Sequence, residues 1–126
     1  MRSWRVSEKK GNFEVFAQVN VLDDDLLVVL WGGTRLHIGA VGIAQPRPGL
    51  KDARMISATS SVFTFLGHKE DVVARAMSEE LAKRLNRNVV VVAGMHWEGL
   101  QDEGIEEVIG ICQRLKERIL KWIQGG

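Results

Sequence analysis

The run Gly32-Gly33-Thr34-Arg35 is the part of this chain best equipped to meet a small anion. Two glycines let the backbone turn tightly and present successive N–H groups, Thr34 adds a hydroxyl, and Arg35 adds a planar guanidinium suited to phosphate or carboxylate. The same four residues also make an ordinary hairpin turn, and they match neither the GxxxxGK(S/T) phosphate loop nor the GxGxxG dinucleotide fingerprint. Downstream, QPRPGLKDARMI (45–56) reads as a loop of about 12 residues, stiffened by two prolines and presenting Arg47, Lys51 and Arg54. Folded back, it would bring Arg47 to the anion site; left open, it is a solvated basic loop. Ser57, Thr59 and Ser61 follow at alternate positions, so on an extended backbone their hydroxyls point together, although such residues are also ordinary strand formers. Gly39, Ala40, Gly42 and Ala44 make the preceding strand poor in bulk, which suits close packing of something above it.

The three histidines, His37, His68 and His96, fall at strand edges far apart in sequence, without HExxH, CxxC or any short His/Cys spacing, so no metal site is expected. His37 and His68 are the candidates for hydrogen bonding a ligand or for acid–base chemistry, yet neither has a sequence-adjacent nucleophile or carboxylate in a diagnostic pattern. There is no GxSxG elbow, and the single cysteine, Cys112, lies on the apolar stripe of a helix, where a buried thiol is expected. These features favour binding over bond-breaking.

Composition narrows the class further. Seventeen basic and sixteen acidic side chains give a formal charge of +1, which offers no bulk attraction for nucleic acid. Phe63 and Phe65 lack the surrounding pattern of an RNA-stacking sheet, and core packing is expected for them. One cysteine allows no intrachain disulfide; the N-terminal MRSWRVSEKKGN lacks a signal peptide's apolar run, and no segment has the roughly 20 apolar residues of a membrane span. The expectation is one domain, residues 1–126, in the cytoplasm.

The elements that must position the candidate residues follow from periodicity. After a charged lead-in, Phe13, Val15, Ala17, Val19 and Val21 alternate with polar residues, with Phe16 breaking the outward set as a candidate for an interface. Leu26–Trp31 is apolar throughout and reads as a central strand; His37–Ala44 is the next strand, and Val62–Leu66 the confident part of a fourth. Asp71 begins a helix ending near Leu85, with Val73, Ala76, Met77, Leu81 and Leu85 as its apolar face. Val89–Ala93 is another central strand. Asp102 then stands where it would cap a last helix, on which Ile105, Val108, Ile109, Cys112, Leu115, Ile119 and Trp122 recur every three or four residues.

The order β-β-β-β-α-β-α points to an α+β two-layer domain, a mainly antiparallel sheet of about five strands carrying two long helices on one face. Three strands apolar or small on both faces leave the opposite sheet face to water, a ligand or a second copy, and a homodimer or larger homo-oligomer is expected.

Three segments, LLVVLWGGTRLHIGAVGIAQPRPGLKD, ISATSSVFTFLGHKED and VVVVAGMHW, together resemble the small LpdD-like family associated with UbiD-type decarboxylases, over about Phe13 to Trp122. The resemblance implies a proteasome-assembly-chaperone-like domain and a non-catalytic accessory protein that binds or delivers prenylated FMN, or FMN itself, between a flavin prenyltransferase and the decarboxylase. Joined to the residue reading, it places the phosphate on Thr34, Arg35 and Arg47 near Gly32 and Gly33, and the ring over Gly39, with His37, His68 or the Ser57/Thr59 row at its polar edge. The alternatives are an assembly chaperone that touches only the decarboxylase subunit, and a small enzyme using His37 or His68.

Overall fold

The computed structural model describes residues 1–65 and 70–125. Six strands and two helices succeed one another: β1 (Arg2–Lys10), β2 (Phe13–Leu22), β3 (Asp25–Gly33), β4 (Ala40–Pro48), β5 (Ile56–Thr64), α1 (Asp71–Leu85), β6 (Val89–His96) and α2 (Asp102–Gln124). They form one sheet in the order β1-β2-β3-β6-β4-β5. Every pairing is antiparallel except β3 with β6, which run parallel because α1 carries the chain back across the sheet between β5 and β6. The α+β character and mainly antiparallel sheet are as expected; the strand count is six, not five.

The additional strand is β1, read from sequence as a charged lead-in. It pairs with β2 from Arg2↔Val21 to Lys10↔Phe13. Its charge is what an edge strand tolerates: only Val6 is buried among its residues, while Ser3, Arg5, Lys9 and Lys10 face water. β4 also departs from expectation, beginning at Ala40 rather than His37 and continuing through both prolines to Pro48. Beyond Ala44 it has lost β6 on one side and keeps only β5, so Pro46 and Pro48 remove no ladder bond that the sheet needs. The long loop therefore shrinks to a hairpin connection, 49–55, closed by Gly49 N–H donating to the Met55 carbonyl at 2.7 Å. Within it the Arg54 side chain and backbone N–H both bond the Asp52 carboxylate, holding its pKa below the usual value.

Both helices lie on one sheet face, α1 over β4, β5 and β6, and α2 over β1 and β2. The period-two alternation of β2 puts Val15, Ala17 and Val19 on that face, fully buried with Leu26, Val28 and Leu30 of β3 and Val89, Val91 and Ala93 of β6. Helix α2 contributes Val108, Ile111, Cys112, Leu115, Ile119 and Leu120, its buried stripe turned slightly from the one expected, since Ile105 is exposed. On α1 the buried residues are Ala74, Met77, Ser78, Leu81 and Ala82; the small members of the set lie inward and Ala76 outward. The cause is the thin strand beneath it: a side chain at Gly42 would collide with the Ala74 carbonyl, so α1 rests almost directly on β4. The missing bulk of Ala40, Gly42 and Ala44 is filled by this helix. Phe63 and Phe65 are not in the core: both are exposed, and Phe63 lies on the opposite sheet face.

Candidate functional site at the carboxyl ends of β3 and β6

The parallel pair β3/β6 sends both strands out at one end of the sheet, where α1 and α2 also begin. Gly33, at φ +84°, sits so close beneath the His96 carbonyl that any side chain there would strike it, and Gly32 lies against the Trp97 ring. Thr34 continues this contact, its N–H donating to the His96 carbonyl at 2.8 Å and its hydroxyl reaching the same oxygen at 3.3 Å. Residues 34–39 then cross over Gly94, where a side chain would collide with the His37 carbonyl, and Gly39 N–H closes the crossing on the Ala93 carbonyl at 2.9 Å. Arg35 stands exposed on this crossing.

His37 turns inward instead. Its Nδ1 is 3.2 Å from the Arg35 carbonyl, which only accepts, so Nδ1 carries a proton; its Nε2 is 3.4 Å from Glu70 Oε1. Both side chains are about nine-tenths buried, at 11% and 10% exposure, and the Met95 N–H donates to the same Glu70 oxygen at 3.4 Å. The carboxylate partner that spacing did not reveal for His37 is thus Glu70, brought from just before α1. With both ring nitrogens engaged by the framework, His37 ties the crossing loop to that helix. Gly39 is not an open floor for a ring, because a side chain there would meet the Glu70 carboxylate.

Beside this pair opens a cleft of about 310 Å³ between the first turns of α1 and α2 and the end of β6. Val72, Val73, Met95, Trp97, Leu100 and Ile105 give it an apolar wall, and Glu70 with His96 gives it a polar edge. Trp97 is fixed by an edge-on contact with Phe13, ring centres 5.4 Å apart, and His96 Nε2 lies 3.1 Å from Glu98 Oε1 at the rim. Such a cleft accepts a flat apolar body with a hydrogen-bonding edge.

The expected site residues thus fall into two groups. Gly32, Gly33, Thr34, Arg35, His37 and Gly39 gather at this end. Arg47, Ser57 and Thr59 gather at the other, seven residues along β4 from Ala40 or roughly 23 Å, where Arg47 Nε donates to the Thr59 hydroxyl at 2.8 Å and Ser57 pairs across from Arg47. Arg35 and Arg47 therefore do not converge on one phosphate. His68 lies outside the described residues. Glu70, Met95 and Trp97 were not among the candidates; their signal lay in the LGHKED and VVVVAGMHW runs, but only the fold shows that these meet. Among the described residues no group of three or more His, Cys, Asp or Glu is arranged to hold a metal ion.

The fold is similar to that in a crystal structure of a chaperone complex for yeast 20S proteasome assembly, with a TM-score of 0.51 and 12% identity over 92% of this chain and 99% of that one. The chain belongs to the prenylated flavin chaperone LpdD-like domain family, whose model matches residues 9–124. It is also similar to Protein LpdD of Lactiplantibacillus plantarum, 22% identical over 116 residues that make up 92% of this chain and 82% of that protein.

Proposed function

We propose that this chaperone-family protein is a non-catalytic carrier of prenylated FMN that takes the cofactor from a flavin prenyltransferase and hands it to a UbiD-type decarboxylase in the cytoplasm. The observation that carries the reading is the apolar cleft with the buried Glu70–His37 pair at its edge and the exposed Arg35 on the loop beside it. Prenylated FMN joins an extended, largely apolar ring system, with polar groups along one edge, to a flexible dianionic tail. At about 310 Å³ the cleft takes the ring system and leaves the tail outside, where Arg35 is the cation that meets it. Glu70 accepts a hydrogen bond from a ring N–H, and Trp97 and Met95 pack the ring face. Nothing in this arrangement calls for the chain to make or break a covalent bond.

Anaerobic native mass spectrometry with reduced prenylated FMN, and FMN as the comparison, tests this directly. Saturable binding at one cofactor per subunit, weakened about tenfold or more by Arg35→Ala and by Trp97→Ala, is the expected result. Full affinity in both variants would overturn the placement, and no binding by folded protein would overturn the carrier reading. A second reading, binding of the decarboxylase subunit without contact to the cofactor, draws on the uncovered sheet face. Flavin-independent capture of apo-decarboxylase that both variants retain would select it.

A further inference from the structure

The apolar stripes of α1 and α2 are wider than the sheet needs. Val73 and Ile109 are only half-buried and Ala76 is exposed, although all three belong to stripes expected to pack in the core. The two helices start at the same end of the sheet and do not close over one another, and between them runs a second hollow of about 270 Å³. Buried Met77 and Cys112 form its floor, Val73, Ala76 and Ile109 its sides, and Glu80 with Lys116 its far end. Val72, Val73 and Ile109 also line the cleft at the helix starts, so the two hollows share a wall and follow one another along the helices. From Val72 to Glu80 the groove is roughly 12 Å long, at about 1.5 Å of rise per residue.

We infer that this groove receives the isoprenoid-derived ring that distinguishes prenylated FMN from FMN, and that Ala76, Met77 and Cys112 make the protein select the prenylated cofactor. The inference rests on the carrier reading and adds the selectivity of that same site. Chemistry is the first argument. The added ring is branched hydrocarbon with no hydrogen bond to satisfy, and the middle of the groove offers it only aliphatic and sulfur groups, the methionine among them adaptable in shape. Direction is the second. A flavin carries its phosphate tail on one long edge and the prenyl-derived ring on the opposite one. Arg35, the cation for the tail, stands on the loop at the end of the sheet, and the groove leads from the cleft away from that loop, along the helices. Charge agrees with this assignment, since one acid and one base at the far end give no net positive charge to hold a phosphate. Size is the third. Ala76 is an exposed helical position where any larger helix former is tolerated, and the small alanine keeps the hollow open.

The test is an anaerobic titration of the full chain with reduced prenylated FMN and, separately, with reduced FMN, followed by tryptophan fluorescence. Wild type is expected to bind the prenylated form at least about tenfold more tightly. Ala76→Leu and the bulkier Ala76→Phe fill the groove from an exposed position, so circular dichroism is expected to be unchanged. Both are expected to weaken prenylated FMN alone and to bring the two affinities within about twofold of each other. Lys116→Ala is expected to leave both affinities within about twofold of wild type. Equal binding of the two flavins by wild type would overturn the inference and leave the carrier reading standing. So would a preference that survives both Ala76 variants, including one that persists while Ala76→Phe loses capture of the decarboxylase, which would make the groove a protein-docking surface. A loss of about tenfold for both flavins in Lys116→Ala would put the phosphate tail in the groove and overturn it equally. Binding of neither flavin by folded wild type is the separate outcome that removes the carrier reading and this inference together.

Discussion

Cys112 shows how burial governs a single residue's chemistry. Removed from water, its thiolate is disfavoured and the pKa is pushed up to about 12, so at pH 8 only about one molecule in ten thousand carries the nucleophilic form. A thiol reagent at pH 8 is expected to leave native protein unmodified and to label it fully in denaturant, which mass spectrometry reads directly. Rapid native labelling would mean that the α2 stripe opens. At Gly94 the constraint is steric. Gly94→Ala places a methyl group into the His37 carbonyl, and the crossing loop must shift; the expected cost is about 3 kcal/mol in a urea titration, the upper end for overpacking. The need for glycine there was not visible in VVVVAGMHW, because the atom that forbids a side chain comes from a loop more than fifty residues earlier in the chain.

At the scale of elements, local periodicity carried most of the information. α2 was legible because its apolar residues recur every three or four positions over six turns, and β2 because it alternates. Leu115, fully buried in the middle of α2, is expected to cost 2–5 kcal/mol as Leu115→Ala by the loss of its methyl groups and the cavity left behind. Arg118, although 2.6 Å from Glu8, is half-exposed; Arg118→Ala is expected to cost under about 1 kcal/mol, since water screens the pair, and comparison of the two unfolding midpoints separates packing from surface charge. β1 was missed because an edge strand needs only one buried face and carries charge on the rest. The extension of β4 through Pro46 and Pro48 was missed because proline is forbidden in a strand only where its missing N–H is needed, and whether it is needed depends on neighbours that are not adjacent in sequence.

For the whole molecule, the decisive arrangement is the distance between the two ends of the sheet. Arg35→Ala is expected to weaken prenylated FMN while Arg47→Ala leaves its affinity within twofold, since Arg47 is engaged with Thr59 about 23 Å along the strand; equal losses in a titration of the two variants would mean that the cofactor spans the sheet. The sequence by itself determined the inventory: strands and helices in nearly the right places, a buried cysteine, a glycine-rich turn bearing an arginine, and a resemblance specific enough to name the family. Each is a matter of residues close together in the chain, where side-chain period and backbone preference act. Only the tertiary structure decided that β6 would insert beside β3, that Glu70 would meet His37, that Trp97 and Met95 would wall a cleft at the helix starts, and that Arg47 would be carried to the opposite end. Those outcomes depend on which apolar faces pack together once the chain closes, and pairings between distant segments leave no periodic trace in the segments themselves.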